Sequence, residues 1–423
     1  MDINIIKRII ADQKEEIEFR NSAGYIEREK TALAKSFLNE NIIKVITGIR
    51  RCGKSTFCHQ LLKDENYAYL NFDDERLYNV KAENLDKFLE ELLRQNEKPK
   101  FLLFDEIQNI KGWELFINRL YRMGYNIVLT GSNSNLLSRE LATHLTGRHI
   151  QIELFPFSFA EYLKYKGFNN DLSVSLSTRK TAELKKTLDE YIEFGGFPEI
   201  KNFNNKKIYL RDLFEKIILK DIVERFSVRD INTLKELALY MLNNFSSLFT
   251  FSRINNLLSG GSSNTLKEYI GYLEETYLLF YTKKHSFKMS EEIRSPRKIY
   301  TIDIGLLNAM DTSLNRNYGR KIENLVYLHE RRNNRQINYI SGQSFEVDFI
   351  IKNQEQIKLI QAAAELNNEK TLNREISSLL KASELFPNAI LWIITENEED
   401  TIIKDNKVIN ILPLWKYLTQ SHL

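Results

Sequence analysis

Cysteine and histidine are scarce in this chain of 423 residues. The two cysteines, Cys52 and Cys58, do not make the disulfide framework that small secreted domains need, which favours a reducing, cytoplasmic setting. The six histidines lack the spacing of zinc ligands. We therefore expect no structural zinc site.

Long apolar runs are missing as well. No stretch of the sequence reaches the roughly 18 uncharged apolar residues of a membrane-spanning helix. Charged residues near the start, among them Lys7, Arg8 and Asp12, do not fit a signal peptide. We therefore expect no membrane partner.

Charge of one sign does not dominate, because the net charge is only +3. It is unevenly distributed, since residues 200–340 contain 23 Lys and Arg against 15 Asp and Glu. Such a local surplus indicates a polyanion partner, such as nucleic acid, for this part of the chain. A solvated basic face explains the surplus equally well.

Strands and helices alternate through the first 160 residues, which predicts a parallel α/β sheet. The predicted strands are 42–47, 67–72, 100–104, 126–130 and 149–154. After Pro156 the strand pattern stops and helical patterns follow. The length of the chain allows two or three domains.

A phosphate-loop pattern, G-x-x-x-x-G-K-[ST], occupies residues 48–55 between the first strand and a helix. Gly48 and Gly53 let backbone N–H groups approach phosphate oxygens, and the start of the helix favours an anion. Lys54 is suited to reach the β- and γ-phosphates, and the Ser55 hydroxyl is suited to ligate Mg²⁺. The predicted ATP-binding residues are Gly48, Ile49, Arg50, Arg51, Cys52, Gly53, Lys54, Ser55 and Thr56.

Two carboxylates, Asp105 and Glu106, directly follow the predicted strand 100–104. Asp105 is the predicted second Mg²⁺ ligand beside Ser55, as in other phosphate-loop ATPases. Glu106 is the predicted general base that polarises the attacking water. The alternative is an ordinary buried strand that ends in solvated acids.

Further polar residues lie at the ends of the next two strands, after 126–130 and before 149–154. Asn133, with Ser132 in reserve, is the predicted sensor of the γ-phosphate, although a turn-forming role explains it too. Arg148, or else Arg139, is the predicted arginine finger. It would act on the nucleotide of a neighbouring subunit and so implies a homo-oligomer, whereas a surface arginine is the plain alternative.

Residues 230–300 contain three predicted helices, at about 231–244, 252–259 and 264–280, followed by an extended hairpin. This order resembles a winged helix, whose third helix reads DNA. Here that helix carries one basic residue, Lys267, so base reading is weakly supported. Sequence-independent phosphate contact by two basic clusters is the stronger expectation. The clusters are Arg294, Arg297 and Lys298, and Arg331, Arg332 and Arg335.

Together, several motifs resemble the AAA-type ATPases of bacteria and archaea that carry a C-terminal domain of unknown function. They are Gly-Ile-Arg-Arg-Cys-Gly-Lys-Ser, Phe-Asp-Glu-Ile-Gln, Leu-Thr-Gly-Ser-Asn, Phe-Gly-Gly-Phe-Pro (194–198), Ile-Asp-Ile-Gly-Leu (302–306) and Glu-Val-Asp-Phe (346–349). The resemblance covers nearly the whole chain. It implies an AAA-type core, a winged-helix segment and a restriction-endonuclease-like C-terminal fold, but no substrate.

The resemblance gives five segments. They are an N-terminal helical lead-in (1–40), the ATPase core (41–165), a helical lid or linker (166–229), the winged-helix-like segment (230–300) and the endonuclease-like domain (301–423).

In the last segment, Glu323 and Asp348 match two metal-binding positions of such nucleases. The third position is Gln361, and Ala363 stands where the catalytic lysine belongs, so we expect a degenerate site that does not cut DNA. A displaced lysine such as Lys352 would restore activity only if it reached the same face.

These observations favour Mg²⁺-dependent ATP hydrolysis that drives a basic C-terminal module engaging nucleic acid. A nucleotide-gated signalling or interaction switch, which binds a protein and no nucleic acid, is the alternative. An active nuclease is the least favoured hypothesis.

Overall fold

The computed structural model describes residues 2–21, 25–133, 147–168, 177–258, 263–310, 317–333, 335–353 and 356–420. The chain divides into two compact units. The first comprises Met1–Pro156 with Glu275–Tyr277, and the second comprises Phe157–Glu274 with Leu278–Leu423. Within the described residues, no helix has both the length and the apolar character needed to cross a bilayer.

The first unit is an α/β layer structure. Its helices are α1 (Ile3–Asn21), α2 (Thr31–Ser36), α3 (Lys54–Leu61), α4 (Leu85–Gln95) and α5 (Trp113–Arg122). Its strands are β1 (Ile43–Thr47), β2 (Tyr67–Asn71), β3 (Phe101–Asp105), β4 (Asn126–Gly131) and β5 (His149–Glu153). All five strands match the predicted ones to within one residue at each end.

These strands form a parallel sheet in the order β2-β3-β4-β1-β5. Every residue of β1 and β3 is buried, as expected for parallel strands that are covered on both faces. Because the strands are parallel, their carboxyl ends meet at one edge of the sheet. The loops that follow β1, β3 and β4 therefore lie side by side.

Helix α1 covers the exposed edge of this sheet. Ile6, Ile9 and Ile10 join the buried core of the first unit. The buried Gln13 side chain donates to the carbonyl oxygen of Asn71 at 3.0 Å and accepts from the Asn71 N–H at 2.9 Å. An amide side chain thus satisfies backbone groups of edge strand β2 that would otherwise be unpaired.

The second unit begins with helices and continues into two sheets. Its helices are α6 (Phe159–Tyr165), α7 (Thr178–Phe194), α8 (Lys206–Lys216), a π-helical segment (Ile217–Glu224), α9 (Ile231–Asn243), α10 (Phe251–Leu257), α11 (Ser263–Glu275), α12 (Met289–Arg294), α13 (Ile304–Met310), α14 (Tyr318–Arg332), α15 (Glu369–Leu385) and α16 (Leu414–Thr419). Its strands are β6 (Leu248–Phe249), β7 (Leu279–Thr282), β8 (Arg297–Thr301), β9 (Gln336–Ser341), β10 (Glu346–Lys352), β11 (Ile357–Ala362), β12 (Ile390–Thr395), β13 (Asp400–Lys404) and β14 (Lys407–Pro413).

A small antiparallel sheet has the order β6-β8-β7. Along the chain, its strands alternate with helices in the order α9-β6-α10-α11-β7-α12-β8. The prediction that the third helix extends to residue 280 is wrong. Helix α11 ends at Glu275, Tyr277 adopts a positive φ of 62°, and β7 begins at Leu279.

The C-terminal sheet has six strands in the order β13-β14-β12-β11-β10-β9. Strands β11, β12 and β14 are parallel to one another, whereas β9, β10 and β13 pair antiparallel with their neighbours. Helix α15 packs against β10, β11 and β12. The sequence analysis missed the hairpin of β13 and β14. Its turn is Asp405-Asn406, with φ values of 51° and 57°, which is the geometry that such residues favour in two-residue hairpins.

The Gly195-Gly196 turn is held by a buried carboxylate of the same unit. Asp303 accepts hydrogen bonds from the Gly196 N–H at 2.7 Å and from the Leu306 N–H at 3.0 Å. Burial raises the pKa of Asp303 to about 6, although both hydrogen bonds favour its charged form. A Cβ atom on Gly195, where φ is 77°, would lie 1.9 Å from a carboxylate oxygen of Asp303. Only glycine fits at this position.

Gly195→Ala tests this contact, with Gly167→Ala as its matched control. Both glycines have positive φ, at 77° and 83°, but nothing lies within 4 Å of a Cβ built on Gly167. A positive φ costs an alanine about 1–2 kcal/mol in either variant. For Gly195→Ala alone, the ψ of −168°, in a region that is essentially confined to glycine, and the clash with Asp303 add about 1–3 kcal/mol. Urea denaturation followed by circular dichroism measures the difference. Equal losses of stability in the two variants would contradict the proposed packing.

Candidate functional site

The phosphate loop joins β1 to α3 and passes directly beside the end of β5. The Leu154 N–H donates to the Thr47 carbonyl oxygen at 2.7 Å. A Cβ atom on Gly48 would lie 2.0 Å from the carbonyl oxygen of Leu154. The loop can take this path only because residue 48 has no side chain.

Lys54 is buried within the loop that it follows. Its Nζ atom donates to the carbonyl oxygens of Gly48 at 3.1 Å and Ile49 at 3.3 Å, and lies 3.5 Å from Glu106 Oε1. The ammonium group is therefore surrounded by oxygen atoms, which is the kind of partner that phosphate would supply.

Asp105 ends β3 and is joined to the loop by a hydrogen bond with Ser55. It also accepts hydrogen bonds from the Thr130 hydroxyl, at the end of β4, and from the Tyr69 hydroxyl at 3.2 Å. Burial, followed by the charge of Glu106, raises the pKa of Asp105, and the bonds from Ser55 and Thr130 oppose that rise. A hydroxyl and a carboxylate thus meet in a donor set that suits a hard cation such as Mg²⁺.

Glu106 adopts a positive φ of 51° immediately after β3. Its N–H donates to Thr130 Oγ1 at 3.0 Å. Its carboxylate accepts a hydrogen bond from Gln108 Nε2, and its other oxygen faces Lys54. Thr130 therefore holds the two neighbouring acidic residues at once.

Most other predicted loop residues lie in or beside this site. Ile49 and Cys52 are fully buried, and Arg50 lies 3.8 Å from Asp73. Arg51 has a positive φ of 66°, and Thr56 is exposed in the first turn of α3. Both cysteines are buried free thiols, and burial raises the pKa of each.

Arg28 supports the loop from outside the predicted motif. It is buried, and its guanidinium donates to the carbonyl oxygens of Cys52 at 3.1 Å and Phe155 at 2.5 Å. No local pattern marks this residue, so the sequence analysis missed it. Thr130 was missed for a different reason. It belongs to the motif Leu-Thr-Gly-Ser-Asn, in which only Ser132 and Asn133 were predicted to act.

Tyr277 is a further residue of the first unit that the sequence analysis missed. Its hydroxyl donates to Thr47 Oγ1 at 2.8 Å, directly before the loop, and accepts from Gln151 Nε2 at 3.3 Å. Its ring is buried and its φ is positive. The strand that leads into the loop is thus fixed by a phenol from a distant part of the sequence.

The predicted sensor and arginine finger have different positions. Asn133 is buried just after β4, at the same edge of the sheet as the loop. Arg148 is exposed before the first residue of β5, at the opposite edge, where it donates to Asn118 Oδ1 at 3.0 Å. It does not join the loop of its own chain, and its action on a neighbouring subunit stays a prediction. Arg139 lies outside the described residues.

In the second unit, Glu323, Asp348 and Gln361 belong to one cluster of side chains. The Asp348 N–H donates to Gln361 Oε1 at 2.9 Å. The buried Lys298, from β8, lies between the two acids, with Nζ 2.7 Å from Asp348 Oδ1 and 3.0 Å from Glu323 Oε1. The amine between the two acids is thus that of Lys298, a residue that the sequence analysis did not single out for this position, whereas Lys352 lies against His285 and Phe386.

No metal-binding arrangement of three or more His, Cys, Asp or Glu side chains is present in the described parts of the chain. At the phosphate loop this is compatible with a magnesium ion, because phosphate oxygens and water complete such sites. The path of the loop at Gly48, where no side chain fits, and the contact between Ser55 and Asp105 are both compatible with a metal-bound triphosphate.

Residues 40–163 match the AAA domain family. Together with the phosphate loop and the paired carboxylates, this match makes the chain a P-loop ATPase. Residues 185–317 match a domain of unknown function (DUF8612).

Two relatives share most of their length with this chain. The uncharacterized protein MJ1544 of Methanocaldococcus jannaschii is 38% identical over 397 residues, covering 89% of this chain and 88% of that protein. An uncharacterized protein of Haemophilus influenzae is 32% identical over 356 residues, covering 80% of this chain and 86% of that protein. The chain belongs to the family of AAA-domain proteins that these two represent.

A solved structure is also similar. The Walker-type ATPase PABY2304 of Pyrococcus abyssi aligns with a TM-score of 0.47 at 16% identity, covering 68% of this chain and 96% of that one.

Thr130→Val tests the hydroxyl that bridges the two acids. The variant removes a hydrogen bond that keeps the pKa of Asp105 down, so the acidic limb of the pH–rate profile should move to higher pH. A hydrogen bond to a charged group contributes about 1.5–3 kcal/mol, so turnover should fall roughly tenfold or more. Thr130→Ser keeps the hydroxyl and should restore both the turnover and the position of the acidic limb of the pH–rate profile. An unchanged pH profile in Thr130→Val would contradict this role.

Proposed function

We propose that the chain is an Mg²⁺-dependent ATPase in which Glu106 is the general base, and that its second unit engages nucleic acid. The ATPase part of the proposal is supported by one observation, which is that the phosphate loop lies beside the ends of β3 and β4. There, Ser55 contacts Asp105, and Lys54 lies 3.5 Å from Glu106.

In this proposal, Lys54 binds the β- and γ-phosphates. Its present partners are two loop carbonyls and Glu106, so phosphate oxygens can take over contacts that the ammonium already makes with oxygen. Ser55 and Asp105 hold Mg²⁺, which when bound supplies charge neutralisation at the phosphate oxygens.

Glu106 takes the proton of the attacking water. Gln108 and Lys54 hold its two carboxylate oxygens, and Thr130 fixes its backbone. Asn133 senses the γ-phosphate from the end of β4, and Arg148 acts on the nucleotide of a neighbouring subunit in a homo-oligomer.

Two substitutions separate nucleotide binding from chemistry. Glu106→Gln keeps the shape of the side chain but not its basicity, so ATP affinity should be retained while turnover falls by about 10²–10⁴-fold. Lys54→Ala should abolish binding itself. Calorimetry with Mg·ATP and a steady-state phosphate-release assay measure the two effects. Normal turnover by Glu106→Gln would show that another group is the base.

The element order and charge of the second unit support the engagement of nucleic acid. The order α9-β6-α10-α11-β7-α12-β8 and the strand order β6-β8-β7 resemble those of a winged helix, with α12 inserted between the two strands of the hairpin. Leu266, Ile270 and Leu273 of α11 are buried. The third helix therefore offers little for reading bases, which supports binding to the phosphate backbone without sequence preference.

The C-terminal sheet supports a restriction-endonuclease-like fold that no longer cuts DNA. Asp348 of this sheet and Glu323 of α14 both pair with Lys298, so an ammonium group lies where these acids would hold a metal ion, and Ala363 offers no amine at the position of the catalytic lysine. The five proposed segments, from the helical lead-in (1–40) to this domain (301–423), follow from the same interpretation.

ATPase turnover measured with and without duplex DNA, single-stranded DNA and RNA tests the coupling. We expect stimulation that declines steeply as salt rises, because phosphate contacts release counterions. Glu106→Gln serves as the control for contaminating ATPases. If none of the three nucleic acids changes the turnover, and the protein forms a stable complex with a protein partner, the result would instead support a nucleotide-gated interaction switch.

A further inference from the structure

A cavity of about 420 Å³ lies wholly within the second unit. Its size falls in the range of small-ligand clefts, and it is larger than a single phosphate group requires. It is lined by the end of α9, by β6, and by residues of α10, β8, α14 and β10. The lining residues are Tyr240, Asn244, Ser246, Ser247, Leu248, Phe249, Arg253, Lys298, Arg320 and Glu346.

Two arginines on its wall are free to bind an anion. Within the described parts of the chain, neither the Arg253 nor the Arg320 guanidinium forms an ion pair or a side-chain hydrogen bond. Arg253 is exposed and Arg320 is half-buried. Other cations of this unit are already paired, as Lys284 is with Glu291 and Lys235 is with Glu215. Unpaired guanidinium groups that line one cavity favour phosphate, which they bind through paired N–H donors.

The cavity is also lined by Lys298 and Glu346, and Lys298 counters the charge of the acids around it. Lys298 Nζ lies 2.7 Å from Asp348, 3.0 Å from Glu323 and 3.4 Å from Glu346. Glu323 also accepts a hydrogen bond from the Tyr300 hydroxyl at 2.9 Å. Lys298 thus occupies the position between the carboxylates and reduces their repulsion of an incoming anion.

We propose that this cavity binds a phosphodiester group of a nucleic-acid backbone through Arg253 and Arg320, without a metal ion and without cleaving it. The inference rests on the proposed engagement of nucleic acid and assigns it to one place. Lys298 contributes by neutralising Asp348 and Glu346, so that the site needs no divalent cation. DNA and RNA present the same group and are separate arms of the test.

The test is fluorescence anisotropy of the full chain with a labelled 20-base-pair DNA duplex and with a labelled single-stranded RNA. The variant Arg253→Glu/Arg320→Glu should bind at least tenfold more weakly. For the duplex, the slope of log affinity against log salt should fall by about 0.9 for each lost phosphate contact. EDTA should leave the affinity of the unaltered protein unchanged.

The matched control is Arg122→Glu/Arg229→Glu, which makes the same charge change at two exposed arginines outside the cavity that also form no ion pair within the described parts of the chain. Its affinity should fall less than threefold. If circular dichroism shows that the variant Arg253→Glu/Arg320→Glu does not fold, the neutral variant Arg253→Gln/Arg320→Gln replaces it. A smaller loss of affinity is then expected.

Equal losses in the cavity and control variants would overturn the assignment, as would a complete lack of binding by the unaltered protein. Mg²⁺-dependent cleavage of the duplex that disappears in Asp348→Ala would overturn the metal-free site. Binding that depends on the two arginines but leaves ATPase turnover unchanged would support the cavity, while refuting the coupling proposed above.

Discussion

The burial of one ammonium group, that of Lys54, constrains the rest of the first unit. A buried charge is costly unless polar partners surround it. Two partners are carbonyls of the loop itself, and the third is Glu106 at the end of β3. Strand β4 separates β3 from β1, and its Thr130 joins the acids that follow β3. The strand order, the loop path and the position of Thr130 are therefore parts of one arrangement.

The second unit buries a lysine in a different way. Lys298 has three carboxylates around it, and the nearest oxygens lie at 2.7 and 3.0 Å. Lys54 lies 3.5 Å from Glu106 and donates to two neutral carbonyls of the loop. The cluster around Lys54 and the cluster around Lys298 therefore differ in whether a ligand can replace the partners of the lysine. Phosphate can replace the partners of Lys54, because carbonyl groups lose little when an ammonium leaves. Removal of Lys298 would leave the buried Glu323 beside the half-buried Asp348 without this counter-charge, and such a state is strongly unfavourable. The contacts of Lys54 can therefore be exchanged for contacts with a bound phosphate, whereas the contacts of Lys298 are a fixed part of the fold.

The sequence contains the local features of this fold but not its long-range contacts. The strands of the first sheet were predictable because buried parallel strands are continuous apolar segments, and the phosphate loop was predictable from its spacing. Arg28, Tyr277 and Lys298 carry no such signal, because each acts on residues far away in the chain. The end of α11 was missed for a related reason, since Tyr277 continues the helical pattern while its backbone leaves the helix. The Asp405-Asn406 turn, in contrast, had a recognisable signal.

The uneven charge of the sequence overstates the area that can attract nucleic acid. A surplus of basic residues in 200–340 suggests a broad positive surface. In the folded unit, Lys283 and Lys284 are paired with Glu292 and Glu291, and Lys298 is buried among acids. Exposed pairs contribute little to stability, but each places a negative charge beside a cation and weakens its long-range field. Any phosphate contact must therefore come from the cations that remain unpaired. A basic surplus in a sequence accordingly indicates where to search for a polyanion site, and the ion pairs of the folded chain decide how small that site is.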